Sequence, residues 1–100
     1  MSYGVIYLTT NLITKEKYIG KTTKNGKELE KYLGSGFNII EAIINYGRDN
    51  FKKEIICECS NEEELNYMER KYISQLKPEY NISLNKDNNI TQETLEEYLS

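Results

Sequence analysis

Apolar and polar residues alternate in two short segments near the start of the chain, about Gly4 to Thr10 and Lys17 to Thr22. Both segments are rich in β-branched and aromatic residues, which favour strands, and the polar stretch from Asn11 to Glu16 between them is typical of a turn. The pattern therefore predicts a β-hairpin. A third segment with the composition of a strand follows at Phe51 to Cys59.

Helices are predicted around this third strand. A lysine-rich stretch from Thr23 to Lys31 can form a short helix, which the glycines after it would end. Apolar residues at helical spacing from Phe37 to Ile44 predict a second helix, which Gly47 is well placed to end in a left-handed conformation. Ser60-Asn61-Glu62-Glu63 has the form of a capping box, so we expect a third helix from Ser60 to about Leu76.

The third helix has an apolar stripe that includes one carboxylate. The apolar members of the stripe are Leu65, Met68, Tyr72, Ile73 and Leu76. Glu69 lies four residues from both Leu65 and Ile73, so its side chain should point toward the core. A core-facing carboxylate is costly unless it is hydrogen-bonded, neutral or bound to a metal. The pattern alone leaves a structural glutamate and a site residue equally open.

Chain length and element order predict one small α+β domain. The 100 residues can close one modest core and are too few for two independently stable domains. We place the domain at residues 1–85 and treat residues 86–100, with one lysine and four acidic residues, as an acidic tail that could form a short helix. No apolar run approaches the roughly 20 residues of a membrane span, and no secretory signal is evident, so we expect a soluble, cytoplasmic protein without membrane contact.

The chain contains no histidine and nine tyrosines. Without imidazole, every mechanism in which histidine is the base, the acid or a metal ligand is excluded. A single tyrosine on a strand is usually a core residue, so Tyr7 and Tyr18 need further context. The net charge of −3 argues against a stand-alone nucleic-acid binder, but Lys15 to Lys31 holds six lysines and three glutamates. A phosphate-facing surface should therefore lie near that segment.

Two short motifs provide the context for these tyrosines. Gly4-Val5-Ile6-Tyr7, followed after ten residues by Tyr18-Ile19-Gly20-Lys21, resembles the paired signature of the GIY-YIG nuclease family, with one extra residue in the first motif. Glu69 on a later helix and Tyr80-Asn81-Ile82 beyond it extend the resemblance over about residues 3–83. The resemblance implies a central three-stranded antiparallel sheet flanked by helices, in agreement with the elements predicted above.

The resemblance also implies a metal-dependent endonuclease that hydrolyses DNA phosphodiester bonds with a tyrosine-assisted water nucleophile. Tyr7 then resembles the tyrosine that is, or relays to, the general base, and Tyr18 resembles its partner at the water and phosphate. A phenol with a pKa of about 10 is a poor base unless positive charge lowers that value. Lys21 is the candidate for this charge, and it would also approach the phosphate.

Three further positions match the family. Glu69 resembles the glutamate that alone anchors Mg²⁺ or Mn²⁺, hard cations that prefer oxygen ligands. Asn81 resembles the asparagine that supports the site from the next segment. Tyr32 falls where repair enzymes of the family carry tyrosine and homing endonucleases carry histidine, and the motif around it resembles phage-encoded members. A bacterial or phage-infected host cell is the expected setting.

One position departs from the family pattern. The family usually carries an arginine seven residues after the position of Lys21, where it stabilises charge in the transition state, and here that residue is Glu28. Either a nearby lysine replaces the arginine, or Lys21 carries the charge alone, or the protein has lost activity. The nearby lysines are Lys24, Lys27 and Lys31.

Three interpretations stay open at this point. The first is an active endonuclease, and the second is a catalytically silent DNA-binding or adaptor module on the same fold. The third is an interaction protein whose acidic tail docks onto a partner or masks the basic face. DNA is the expected partner, and specificity would come from a homo-oligomer, a separate specificity protein or the cleft itself.

Overall fold

The computed structural model describes residues 2–81. That part of the chain contains an antiparallel sheet with the strand order β2-β1-β3. Strand β1 spans Gly4–Asn11, β2 spans Lys17–Thr22 and β3 spans Phe51–Cys59. The predicted α+β class and three-stranded antiparallel sheet are confirmed, and the hairpin and the third strand lie where the sequence predicts them.

Three α-helices accompany the sheet: α1 at Gly26–Lys31, α2 at Phe37–Tyr46 and α3 at Glu62–Leu76. Helix α1 begins three residues later than predicted, because the Lys24 N–H is donated to the Thr22 hydroxyl before the helix begins. No helix among the described residues is long and apolar enough to cross a membrane.

The start of α3 corrects the predicted capping box. The N-cap is Asn61 and not Ser60, since the Asn61 side-chain oxygen accepts the Glu64 N–H at 2.8 Å. The Glu64 carboxylate in turn accepts the Ser60 N–H at 2.8 Å. Asparagine is as good an N-cap as serine, and a glutamate three residues later completes either box, so the pattern fits both registers. The one-residue shift leaves Glu69 on the helix.

Helices α2 and α3 cover opposite faces of the sheet. The core beneath α2 contains Leu33, Ile39, Ile40, Ala42, Ile43, Phe51 and Tyr80, with Tyr18 packed against it. The core beneath α3 contains Ile6, Ile19, Cys59 and Leu65, with several half-buried residues of α3 around it. Because successive strand residues face opposite sides, Ile6 and Ile19 face α3 whereas Tyr7 and Tyr18 face the α2 side.

Strand β3 contains a bulge that decides which of its residues share a face with the tyrosines. Ile6 pairs with Cys57 while Tyr7 pairs with Ile55, so β3 has one extra residue at this point. A bulge of this kind re-aims the side chains on either side of it. Lys53 comes before the bulge and pairs with Thr9, so it lies on the same face of the sheet as Tyr7, whereas Cys57 and Cys59 beyond the bulge face α3.

The last described residues, Glu79–Asn81, form a 3₁₀ turn. The predicted return of the segment Tyr80-Asn81-Ile82 to the sheet edge is made, within the described residues, by the side chain of Asn81, as described below, and Ile82 lies outside the described residues. The predicted acidic tail at residues 86–100 and the predicted domain boundary near residue 85 lie outside the described residues.

Candidate active site

The three predicted site tyrosines lie together on the α2 side of the sheet. Tyr7 comes from β1, Tyr18 from β2, and Tyr32 follows α1 directly. The ring centroid of Tyr7 lies 6.2 Å from that of Tyr18 and 5.7 Å from that of Tyr32. Tyr7 is almost fully buried, with 1% of its surface exposed. The hairpin and the α1 segment thus bring together three residues that are far apart in the sequence.

Gly20 makes room for the Tyr7 ring. It pairs with Tyr7 in the β1–β2 ladder, and a Cβ atom added at Gly20 would lie 2.2 Å from both Cζ and the hydroxyl oxygen of Tyr7. The ring therefore crosses the backbone of the edge strand β2, and its hydroxyl reaches toward the free edge of the sheet. Close approach of an aromatic ring explains why this position of the motif is glycine.

We expect Gly20→Ala to disable the site while leaving most of the fold in place. The added methyl group cannot coexist with the Tyr7 ring, and a buried ring has few alternative positions, so the ring should be displaced. Overpacking of this kind costs about 1–3 kcal/mol of stability, and displacement of a reacting group costs on the order of 10²-fold in rate. Thermal unfolding and a nuclease assay on the same preparation check both effects, and an unaltered cleavage rate would contradict the assigned ring position.

The glycine-containing segment after Tyr32 packs on Tyr18. A Cβ atom added at Gly34 would lie 2.9 Å from Cε2 of Tyr18, and one added at Gly36 would lie 3.1 Å from its Cε1. The Gly36 backbone also forms a hydrogen bond with the Tyr18 hydroxyl that lowers the pKa of Tyr18. These two glycines therefore do more than form a turn, because they let the backbone approach a site residue.

Burial is the largest cause of the raised pKa values of Tyr7 and Tyr18. It raises the pKa of Tyr7 well above its ordinary value, and Tyr18, Tyr32 and the Glu69 carboxylate raise it further. Burial also raises the pKa of Tyr18, and Tyr32 adds to this, whereas hydrogen bonds from the Gly36 backbone and the Tyr7 side chain lower it. At neutral pH Tyr7 is therefore protonated in the protein alone and is available as a hydrogen-bond donor.

Lys21 lies beside α3 and not beside Tyr7, where the sequence predicted it. Its ammonium lies 3.7 Å from the Glu69 carboxylate and also donates to the Asn66 side chain on α3. The expectation that Lys21 lowers the pKa of Tyr7 was wrong, because neighbouring residues of a strand face opposite sides. Gly20, opposite Tyr7, shares the tyrosine face, and Lys21 therefore faces α3.

Glu69 interacts electrostatically with the tyrosines although it lies on the other side of the sheet. Its charge raises the pKa of both Tyr7 and Tyr18. Its side chain is 23% exposed. The two halves of the site meet near the edge strand β2, which the Tyr7 ring crosses on one face and Glu69 approaches on the other.

The donor set around Glu69 fits a hydrated hard cation. Within residues 2–81, no three histidine, cysteine, aspartate or glutamate side chains gather as a metal-binding group. Glu69 would act as a single protein ligand, and its partial exposure leaves room for water and phosphate oxygens. Mg²⁺ usually keeps several waters and binds through one or two carboxylates, so a single glutamate is a suitable anchor.

Asn81 extends the sheet at its free edge. Its side-chain amide donates to the Ile19 carbonyl at 2.7 Å, and the Ile19 N–H donates to its side-chain oxygen at 2.6 Å. Ile19 lies between Tyr18 and Gly20, so these two hydrogen bonds fix the strand that carries the motif. Asn81 thus has a clear contact with the site backbone, and its predicted support of a metal stays a prediction.

A model of the GIY-YIG catalytic domain matches residues 3–81, which include the six predicted site residues. The chain belongs to the GIY-YIG family. No solved structure matches it at a significant level.

Three proteins of Enterobacteria phage T4 named as candidate endonucleases are similar to this GIY-YIG chain. It is 42% identical to segE over 72 residues and 41% identical to segD over 71 residues. It is 43% identical to segC over 54 residues. These matches cover 72%, 71% and 54% of this chain and 35%, 31% and 27% of the relatives. The chain therefore spans about a third of the length of the curated relatives it matches.

The position of the arginine that most GIY-YIG members carry is occupied by an exposed residue, Glu28 on α1. Among the lysines considered as replacements, Lys24 has its ammonium 5.2 Å from the Tyr32 ring centroid. Lys27 and Lys31 lie exposed on α1. The structure thus brings one of the three to the tyrosine cluster, and replacement of the arginine stays a prediction.

One residue that contacts two members of the tyrosine cluster was not among the predicted site residues. Lys53 on β3 donates to the Tyr32 carbonyl at 2.9 Å, and its ammonium lies 5.8 Å from the Tyr7 ring centroid. Strict alternation from the apolar Phe51 would place Lys53 on the inner face of the strand, where lysine is rare. That was the available signal in the sequence.

Proposed function

We propose that this chain is the catalytic domain of an endonuclease that hydrolyses DNA phosphodiester bonds with the help of a divalent cation and tyrosine side chains. One observation carries the proposal: the Tyr7 hydroxyl crosses Gly20 to the sheet edge, within the electrostatic reach of Glu69. The family match over residues 3–81 supports this interpretation. The names of the phage relatives support cleavage inside a nucleic-acid chain.

The two strand tyrosines have different parts in the proposed reaction. Tyr7, protonated at neutral pH, is a donor. Burial raises the pKa of Tyr18 as well, but hydrogen bonds from the Gly36 backbone and Tyr7 oppose this rise and favour the ionised form of Tyr18. A cation bound at Glu69 would favour the ionised form of Tyr18, which would then take the proton of the attacking water and become neutral. Tyr7 stabilises the Tyr18 phenolate before this transfer by donating a hydrogen bond to it. This division keeps Tyr7 in the relay expected from the sequence and makes Tyr18 the proton acceptor.

Glu69 and Lys21 act on the phosphate side. Mg²⁺ or Mn²⁺ bound at Glu69 would supply the positive charge that lowers the pKa of nearby phenols and polarises the phosphate. The Lys21 side chain is 40% exposed beside Glu69, so its ammonium can turn to a phosphate oxygen of the bound DNA. Lysine can contact phosphate as a point charge, although it lacks the bidentate geometry of arginine.

Incubation of the protein with supercoiled plasmid and Mg²⁺ or Mn²⁺ tests the proposed function. We expect nicked or linear products that do not form when the metal is chelated. A protein that binds the plasmid but never cuts it with either metal would contradict the endonuclease proposal. That outcome would favour a silent DNA-binding module, which Glu28 in the usual place of the arginine makes the second candidate.

The proposal also covers how the protein selects its DNA and in which cell it acts. The lysines of the segment from Lys15 to Lys31 would face the DNA backbone. Sequence specificity would come from a homo-oligomer or from a separate specificity protein. The phage origin of the relatives supports a bacterial or phage-infected host cell as the setting.

A further inference from the structure

The segment that carries Tyr32 is attached to the sheet by two side-chain donors. Thr9 donates its hydroxyl to the Leu33 carbonyl at 2.8 Å, and Lys53 donates its ammonium to the Tyr32 carbonyl at 2.9 Å. Thr9 and Lys53 are direct partners in the β1–β3 ladder, so the two donors lie side by side. The backbone at Tyr32 is therefore held at two successive carbonyls.

The ammonium of Lys53 costs free energy at its half-buried position on β3 unless its charge is compensated. It is half-buried, and burial is the largest cause that lowers its pKa, with Glu30 raising the pKa and Arg48 lowering it. A buried ammonium needs hydrogen bonds or other partners. The compensating contacts are the Tyr32 carbonyl and the face of the Tyr7 ring, which attracts a cation. Both contacts belong to the tyrosine cluster.

We propose that Lys53 is a positioning residue of the active site. Its ammonium ties the Tyr32 backbone to β3 and covers the face of Tyr7, and it thereby fixes the relative positions of these two rings. The direct pairing of Lys53 with Thr9 makes this possible, because it puts Lys53 on the tyrosine face. The kinetic consequence rests on the proposed nuclease function, whereas the effect on the rings does not.

Three substitutions separate the charge, the hydrogen bond and the volume of Lys53. Lys53→Met keeps the volume and removes the charge and the donor, Lys53→Gln keeps a donor, and Lys53→Arg keeps both. The matched control is Lys52→Met, since Lys52 is its exposed neighbour and pairs with Glu54 at 3.1 Å. Under single-turnover conditions we expect Lys53→Met to lower the cleavage rate about tenfold to a hundredfold. DNA affinity should stay within about twofold, Lys53→Arg should recover most of the rate, and the control should cut normally.

Tyrosine ring signals in ¹³C-labelled protein give a readout that needs no cleavage. We expect Lys53→Met to shift the ring signals of Tyr7 and Tyr32 and to leave those of Tyr67, which is 53% exposed on α3, unchanged. If Lys53→Met does not fold, Lys53→Gln is compared in the same way. Unshifted ring signals in the folded variant would overturn the proposal even if the unmodified protein never cuts DNA. A loss of DNA affinity with a flatter salt dependence would also overturn it, since Lys53 would then contact phosphate.

Discussion

Replacing Glu69 by glutamine should nearly abolish metal-dependent cleavage, with a loss of about 10³-fold or more. Glutamine keeps the size and shape of the side chain and removes the charge that would anchor the cation. A bound metal contributes several kcal/mol of charge stabilisation, and each 1.36 kcal/mol corresponds to about tenfold in rate. Single-turnover cleavage with Mg²⁺ or Mn²⁺ over a range of metal concentrations measures the effect.

The fold should survive this change. The Lys21–Glu69 pair is partly exposed, with its N and O atoms 3.7 Å apart, so its loss should change stability by no more than about 1 kcal/mol. Glu63→Gln is the matched control, because Glu63 is an exposed glutamate on the same helix and its change alters the net charge equally. Normal cleavage by Glu69→Gln with the same metal requirement would remove Glu69 from the mechanism.

Tyr7→Phe should lower the cleavage rate by roughly 10²–10⁴, the usual contribution of proton transfer by a positioned side chain. Phenylalanine keeps the buried ring and removes the hydroxyl that reaches the sheet edge. If Tyr7 were only a packing residue, the change would cost about 0.5–1.5 kcal/mol of stability and leave the rate unchanged. Rate, DNA affinity and thermal unfolding measured together distinguish the two roles.

Variants of Tyr18 and Tyr67 test whether Tyr7 acts together with Tyr18. We expect Tyr18→Phe to have a similar effect and the double variant to lose little more, because groups that act as one unit are not additive. Tyr67→Phe is the control, since Tyr67 is exposed on α3 and lies outside the tyrosine cluster. Independent, additive losses in the two single variants would argue against a relay between Tyr7 and Tyr18.

Much of the fold could be predicted because local patterns and tertiary packing agree. The alternation in the hairpin and in the segment from Phe51 to Cys59 matches strands with the same bounds to within one residue. The spacing of Glu69 on the apolar stripe correctly indicated a carboxylate turned toward the sheet. The predicted N-cap of α3 was one residue too early, because Ser60 and Asn61 are both good N-caps and each is followed by a glutamate three residues later.

The errors within the site come from features that depend on pairing between strands. Lys21 was assigned to Tyr7 on sequence proximity to the motif, although alternation from Gly20 places it on the α3 side. Alternation from Phe51 indicates an inward-facing Lys53, but its role was missed because its hydrogen bond depends on the position of the Tyr32 backbone. That tertiary contact has no signal in the local sequence pattern.

Single-turnover cleavage of one labelled DNA duplex by saturating protein tests the central claim most directly, because excess protein removes differences in DNA affinity. The comparison is between the unmodified protein and the double variant Tyr7→Phe/Glu69→Gln, both with Mg²⁺ or Mn²⁺ present. We predict metal-dependent cutting by the unmodified protein and no detectable cutting by the folded, DNA-bound double variant. Equal cutting by the two proteins would contradict the assignment of the active site to the tyrosine cluster and Glu69.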